Sequence, residues 1–182
     1  MHLETYRLTC HPDTPPAKVR SVDAYVVRNR ENYLHLRWRI KGTRALVVPD
    51  FAGPGREDGL WQTTCFELFV TQPGSSAYAE FNFSPSARWA AYDFAGYRDG
   101  MAERPMPQSP NCQQRRHAHI LTFDVQLRSA VMPPRPWTIG LSAVIEEEGG
   151  VKSYWALAHP DGAPDFHHAA CFAATVPAPG VA

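Results

Sequence analysis

Apolar and polar residues alternate with a period of two along much of the chain. In residues 33–41, YLHLRWRIK, every second side chain from Leu34 to Ile40 is apolar. Such alternation is typical of a strand with one buried face. Similar reasoning predicts further strands over 23–29, 44–48, 64–71, 77–84, 88–95, 117–127, 137–147 and 151–158.

Turn-forming sequences separate these segments, among them QPGSS, SPS, EEEGG and HPDGAP. Many short strands joined by such turns predict an all-β fold: a single antiparallel β-sandwich, immunoglobulin-like or jelly-roll-like, formed by residues 1–182 as one domain. The segment 99–116 is polar and proline-rich, so we predict one long loop there. Residues 175–182 are expected to form a frayed terminus.

The predicted hairpin around QPGSS sorts its side chains onto two faces. Phe66, Leu68 and Val70 of the first strand join Phe81 and Phe83 of the second in one apolar face. With residues 73–76 as the loop, Glu67 lies opposite Asn82, and Phe69 lies opposite Glu80.

The other face of this hairpin gathers Glu67, Glu80, Asn82, Ser84 and Tyr78. One face of an antiparallel sheet is usually solvated, so the pattern predicts that Glu67 lies on a polar face and is not anomalously buried. Carboxylate, amide and hydroxyl groups near Trp61 are also the groups that hold a sugar, because polar atoms bind its hydroxyls and a flat ring covers its C–H face.

Composition and charge narrow the function classes. The chain has 182 residues, 44% of them hydrophobic, and 18 basic residues balance 18 acidic ones. A neutral globular chain is not expected to bind nucleic acid or an anionic membrane as its main partner. No secretory signal and no membrane-spanning run is recognisable, so we expect a cytoplasmic protein. The four cysteines lack C-x-x-C spacing and are expected to be free thiols.

The run LWQTTCFELFV…AYAEFNFSPSARWAAYDF, followed by the distal APDFHHAACFA, resembles the DOMON-like proteins related to family 9 carbohydrate-binding modules, in particular stand-alone bacterial members. The resemblance extends from about Val22 to Phe172. It implies a β-sandwich whose face or rim binds a small-molecule ligand, a sugar above all, between two aromatic rings.

Carried over by position, the resemblance assigns roles to individual residues. Trp61 matches the first stacking ring, and Glu67 matches the carboxylate six residues later. Phe166 stands where a second stacking tryptophan is expected. Asn82 replaces a basic residue, and Ser84 replaces an amide. Together with Glu80 on the same face, these are the predicted ligand-binding residues. Phenylalanine offers less stacking area than tryptophan, and the missing basic residue removes charge-assisted hydrogen bonds.

Other functions remain open at this point. Glu67 and Glu80 are predicted to lie diagonally across the hairpin, at a spacing that suits an inverting glycosidase. Some DOMON-like relatives bind haem, for which Met101 or Met106 with His117 or His119 could supply ligands. A protein-interaction domain is a further alternative. No cofactor and no metal is expected, since the His and Asp residues of HPDGAPDFHH lack the spacing of a metal site.

Overall fold

The computed structural model describes residues 2–28 and 33–177. Its strands are β1 (His2–Arg7), β2 (Thr9–Cys10), β3 (Ser21–Arg28), β4 (Tyr33–Lys41), β5 (Gly55–Arg56), β6 (Cys65–Thr71), β7 (Tyr78–Phe83), β8 (Arg88–Phe94), β9 (Ala102–Glu103), β10 (Asn111–His117), β11 (Ile120–Arg128), β12 (Trp137–Glu147), β13 (Val151–Ala156) and β14 (Ala174–Val176). Within these ranges the helices are the single 3-10 turns Leu60–Gln62, Ser129–Val131 and Ala169–Cys171, and none is long or apolar enough to cross a membrane.

The strands form two sheets. Sheet A has the order β1-β3-β4-β11-β10. Sheet B has the order β2-β13-β12-β6-β7-β8-β5, with β14 paired to β12 and β9 paired to β8. Neighbouring strands are antiparallel except for the short parallel pair β5 and β8. The predicted antiparallel β-sandwich is therefore confirmed.

The core lies between the two sheets and follows the predicted alternation. Trp38 of β4, Phe123 of β11 and Phe66 of β6 are each fully buried. The ring centroids of Phe66 and Phe123 are 4.6 Å apart, and those of Trp38 and Phe66 are 5.4 Å apart. These rings join the two sheets, because each strand directs every second side chain inward.

The hairpin of β6 and β7 has the predicted register. Glu67 pairs with Asn82, and Phe69 pairs with Glu80. The predicted apolar set, namely Phe66, Leu68, Val70, Phe81 and Phe83, belongs to the core between the sheets. A shift by one residue would exchange the two faces, which is why the alternation specifies the pairing so strongly.

Three predicted segments differ from the structure. Residues 44–48 form no strand, and Leu46 makes only an isolated bridge to Glu147. The predicted loop 99–116 contains β9 and most of β10, an edge strand whose mostly exposed polar side chains show no apolar alternation. The expected frayed terminus begins inside β14, which pairs with β12, while residues 178–182 lie outside the described part of the chain.

The structure differs from the strand predictions in two further places. Strand β1 was not predicted, although it forms an edge of sheet A. The predicted strand 117–127 is divided by a turn, in which Ala118 has a positive φ of 49°. His117 therefore ends β10 while His119 lies in the turn, so the two histidines do not share one strand face as expected.

Candidate functional site

The candidate site is built on the outer face of sheet B, the face turned away from sheet A. Five residues in register cross this face: Ala90, Asn82, Glu67, Ser142 and Ala156. The three polar side chains, Asn82, Glu67 and Ser142, lie on adjacent strands and are called the polar row below. Small alanines flank the row on both sides.

The polar row is buried, which contradicts the expectation of an ordinary solvated face. Glu67 is only 3% exposed and Asn82 only 2% exposed. Glu67 is thus a buried carboxyl group after all. The hairpin pattern assigned these residues to the correct face, but it contained no information about what covers that face.

Two distant segments cover the outer face of sheet B. The 3-10 turn Leu60–Gln62 packs over β6, β7 and β8, and Leu60 joins Cys65 and Ala90 in a small apolar cluster. On the other side, residues 158–173, called the covering loop, insert Phe166 into a second apolar cluster. That cluster also contains Phe69, Tyr78, Phe94, Val144 and Ala156.

Hydrogen bonds satisfy most atoms of the polar row. Ser142 Oγ donates to Glu67 Oε2 at 3.0 Å. Asn82 Nδ2 donates to Glu80 Oε1 at 2.8 Å. The remaining amide oxygen, Asn82 Oδ1, is buried and has no hydrogen-bond partner among residues 2–28 and 33–177. A buried acceptor without a donor costs free energy, so this atom favours an incoming hydroxyl or N–H group.

Burial changes the protonation of the two glutamates. Desolvation, reinforced by the nearby Glu80 carboxylate, raises the pKa of Glu67 to about 8, although the hydrogen bond from Ser142 opposes the change. Desolvation also raises the pKa of Glu80, against the hydrogen bond from Asn82 and the charge of Arg98. At neutral pH Glu67 is therefore mainly a neutral carboxylic acid, which can donate a hydrogen bond as well as accept one.

A histidine of the covering loop connects this site to Tyr78. His167 Nδ1 lies 2.8 Å from Tyr78 Oη, and His167 Nε2 lies 3.8 Å from Glu80 Oε2. Burial, followed by the charge of Arg98, lowers the pKa of His167 to about 4, so the ring is neutral. The Arg98 backbone N–H donates to Tyr78 Oη. If the Tyr78 hydroxyl donates to Nδ1, the neutral His167 ring carries its proton on Nε2, on the side of Glu80.

Asp165 fixes the covering loop in place. Its carboxylate accepts hydrogen bonds from Tyr97 Oη, from Arg98 Nη2 at 2.7 Å, and from the backbone N–H of His167 at 3.1 Å. Phe166 and His167 are therefore held over the sheet by contacts of the residue that precedes them.

The two predicted stacking rings lie in different surroundings. Trp61 is 54% exposed, on the 3-10 turn at the rim. Phe166 is 8% exposed, and its ring contacts are with Tyr154, at 5.9 Å between centroids, and His159, at 6.3 Å. Trp61 thus offers an accessible ring, whereas most of the Phe166 ring is used in packing.

Ser84 is used by the turn that follows β7. Its Oγ accepts hydrogen bonds from the backbone N–H of Ser86 at 3.1 Å and from Ser86 Oγ at 2.8 Å. Ser84 is only 1% exposed. Its hydroxyl stabilises this turn, in which Ala87 has a positive φ of 72°. Ser84 is therefore engaged locally and separate from the polar row.

The sequence analysis missed Ser142, and it considered His167 only as a possible metal ligand. The alternation of β12 assigns Ser142 to the same face as Val144, and this signal could have identified it once β12 was known to pair with β6. Nothing in the sequence indicates that His167 would reach Tyr78, because this contact depends on the path of the covering loop.

Two cavities border the covering loop. One, of about 740 Å³, lies at its outer surface and is lined by Tyr97, Arg98, His159, Pro160, Asp161, Ala163, Pro164, Asp165, His168 and Ala170. The other, of about 560 Å³, lies between residues 71–76 and the loop, with Tyr78, His167 and Phe172 among its lining residues. The second cavity therefore reaches the Tyr78–His167 pair.

Three of the residues considered as haem ligands lie in different surroundings. Met101 is exposed, Met106 packs against the core between the sheets, and His119 Nε2 lies 3.3 Å from Arg44 Nη2. Over residues 2–28 and 33–177, no group of three or more His, Cys, Asp or Glu side chains is arranged to hold a metal ion.

Comparisons with known proteins bear on the fold. No protein-family model and no curated protein matches the sequence. Among solved structures, the chain is similar to a Bacteroides uniformis protein to which carbohydrate binding is ascribed, with a TM-score of 0.67 and 11% sequence identity. The similarity covers 93% of this chain and 83% of that chain. At this identity the likeness shows that the two proteins share a β-sandwich fold.

Proposed function

We propose that the protein is a non-catalytic binding module for carbohydrate, related to the DOMON-like proteins and family 9 carbohydrate-binding modules, with its ligand site between Trp61 and the polar row. Two independent observations support this proposal. One is the shared fold with a protein to which carbohydrate binding is ascribed. The other is the set of polar groups on the outer face of sheet B, described above.

The unpartnered Asn82 Oδ1 carries the proposal. A sugar hydroxyl can donate one hydrogen bond and accept others. It would donate to Asn82 Oδ1, while the neutral carboxyl group of Glu67 supplies both a donor and an acceptor nearby. Asn82 and Glu67 face each other in the register of β6 and β7, so one hydroxyl group can engage both side chains.

Access to the polar row requires the 3-10 turn Leu60–Gln62 to move. No side chain in the described part of the chain caps this turn, and Trp61 stands half-exposed on it. A sugar that stacks on Trp61 would displace Leu60 from Cys65 and Ala90 and bring its hydroxyls to the row. Because this movement uses part of the binding energy and one sugar unit makes few contacts, affinity is expected to be weak.

Titration of neutral monosaccharides and their methyl glycosides, followed by NMR shifts of the Trp61 indole N–H and the Asn82 side-chain amide, tests the proposal. We expect saturable binding of at least one sugar, and a loss of about tenfold or more on Trp61→Ala or Asn82→Ala. Tyr33→Ala, an exposed aromatic residue of sheet A, is the control and should bind like the wild type. Absence of saturation at millimolar sugar, or equal affinity in Trp61→Ala and Tyr33→Ala, contradicts the proposal.

A further inference from the structure

A polar pocket lies on the outer face of sheet A, on the side of the sandwich opposite the polar row. It has a volume of about 240 Å³ and is lined by His35, Arg37, Asn111, Gln113, Arg115, Asp124 and Gln126. These residues come from β4, β10 and β11, and none of them is apolar. We call this cavity the sheet A pocket.

Strand register places these side chains on one face. Asp124 of β11 lies between Arg37 of β4 and Gln113 of β10, in the middle row of the pocket. In the adjoining row, Gln126 lies between His35 and Asn111. Facing positions on neighbouring strands bring their side chains within about 5 Å of each other, so the pocket is a direct product of the pairing.

Asp124 accepts hydrogen bonds from three side chains of the pocket. Its Oδ1 accepts from Arg37 Nε at 2.7 Å and from His35 Nε2 at 3.2 Å, and its Oδ2 accepts from Arg115 Nη2 at 2.6 Å. Asp124 is 8% exposed, whereas the side chains of Arg37 and Arg115 are 40% and 67% exposed. A buried carboxylate thus holds two accessible guanidinium groups at fixed positions.

Both guanidinium groups keep donors for a ligand. A guanidinium carries five N–H donors, and Arg37 and Arg115 each use one nitrogen on Asp124. Neither forms another side-chain hydrogen bond within the described residues. Bidentate pairing of a guanidinium with a carboxylate is among the stronger polar contacts in proteins.

The charge around the pocket favours an anion. Two arginines in the pocket exceed the single charge of Asp124. The same face carries further basic side chains, namely Arg7, Arg39, Lys41 and Arg128, against the acidic Asp23. Since the whole chain is neutral, this face concentrates positive charge that attracts negatively charged ligands from a distance.

We propose that the sheet A pocket binds a carboxylate-bearing sugar, a uronic acid unit. The carboxylate would pair with Arg37 or Arg115, and the amides of Asn111, Gln113 and Gln126 would bind the ring hydroxyls as donors and acceptors. A cavity of about 240 Å³ is smaller than the roughly 300–1,000 Å³ of most small-molecule sites, so it has room for one small ligand unit at most. The site is independent of the polar row on sheet B.

Galacturonate and glucuronate are the probes, with galactose and glucose as sugars lacking the carboxylate and acetate as a carboxylate lacking the hydroxyls. We expect a uronate to shift the NMR signals of Gln113, Gln126 and Arg115 in a saturable way, and to bind at least about tenfold more tightly than galactose, glucose or acetate. Arg115→Met should weaken uronate binding by about 10–100-fold. Arg128→Met removes an exposed arginine of the same face that does not line the pocket, and it should change the affinity by no more than about twofold, because this arginine contributes only to the long-range field.

Three outcomes overturn the proposal: no uronate binding, equal binding of acetate and uronate, or equal uronate affinity in Arg115→Met and Arg128→Met. Arg115 is a mostly exposed residue of an edge strand, so its variant is expected to fold, and Arg37→Met provides a second test of the same contact. Trp61→Ala should retain uronate binding here, which separates this proposal from the sugar site on sheet B.

Discussion

Ser142 and Glu67 face each other on adjacent strands of sheet B, and the Ser142 hydroxyl donates a 3.0 Å hydrogen bond to Glu67 Oε2. This hydrogen bond lowers the pKa of the Glu67 carboxyl group, whereas the burial of Glu67 raises it. Burial and the neighbouring Glu80 charge prevail, which is why the pKa of Glu67 rises to about 8. At neutral pH the folded protein therefore retains a proton on Glu67 that most glutamates release near pH 4.5.

Glu67→Gln should make stability less dependent on pH. Between about pH 4.5 and pH 8 the folded wild type keeps a proton that the unfolded chain has lost, so its stability falls as pH rises, by up to about 1.4 kcal/mol per pH unit. Glutamine is neutral throughout and can still accept from Ser142. Urea unfolding at about pH 5 and pH 8 measures the difference.

The exposed variant Glu148→Gln is the control and should keep the wild-type pH dependence. Some dependence is expected to remain in Glu67→Gln, because the pKa of Glu80 is also raised. A Glu67→Gln protein with the same slope as the wild type would show that Glu67 is ionised in the fold.

Glu147→Ala should destabilise the protein by about 3 kcal/mol or more. Glu147 is fully buried, and its carboxylate accepts three backbone N–H groups, those of Ala17 and Lys18 at 2.7 Å and that of Val19 at 3.0 Å. Its removal leaves these donors without a partner, at a cost of about 1–3 kcal/mol for each donor that stays buried. Chemical denaturation measures the loss.

The neighbouring Glu148 provides a matched control, because it is exposed. Glu148→Ala should change the free energy of unfolding by no more than about 0.5 kcal/mol. If the two alanine variants are equally stable, the segment 17–19 must obtain its hydrogen bonds from elsewhere, and the anchoring role of Glu147 is wrong.

Asp165→Asn should loosen the covering loop with little effect on the sandwich. Burial alone would raise the pKa of Asp165, but the hydrogen bonds from Tyr97 and Arg98 outweigh it and lower the pKa. The carboxylate therefore stabilises the fold above about pH 3.8, and this contribution is lost as pH falls through the lower folded value. Hydrogen exchange of residues 166–172 should become faster in Asp165→Asn.

Asp161→Asn, an exposed substitution in the same loop, should leave this exchange unchanged. Asp165→Asn should lower the global free energy of unfolding by only about 1 kcal/mol, since Arg98 is half-exposed and solvent screens its ion pair. Equal protection in the two asparagine variants would contradict the anchoring role of Asp165.

The four cysteines should react slowly with thiol reagents in the native protein. Burial raises the pKa of Cys10 to about 11 and those of Cys112 and Cys171 to about 12, and it also raises the pKa of the fully buried Cys65. At about pH 8 the thiolate fraction is then at least about a hundredfold below that of an exposed cysteine. Labelling by a disulfide reagent measures the rate, with the urea-unfolded protein as the reference.

All four thiols are free in the structure, so the unfolded chain should react with four equivalents of the reagent. Rapid native labelling of Cys112 or Cys171 would show that the segments around them open readily. Fewer than four equivalents after unfolding would indicate a disulfide.

The alternation of side chains was sufficient to predict much of sheet B. A strand places successive side chains on opposite faces, so the sequence alone paired Glu67 with Asn82 and assigned Phe66 and Phe81 to the core. The same principle failed for β10, because its mostly exposed side chains leave no apolar period to detect. The local sequence also could not show that 44–48 forms no strand, because its apolar residues pack without forming a ladder of strand hydrogen bonds.

Sequence thus determined on which face of the hairpin each side chain of the candidate site lies. Only the tertiary structure decided that this face is buried, since Leu60 and Phe166 reach it from segments far away in the chain. The tertiary structure also places Ser142 beside Glu67, and it brings Arg37 and Arg115 into contact with Asp124. The physical reason is that a period of two fixes direction within one strand, whereas burial, pKa and charge clustering depend on which distant residues meet there.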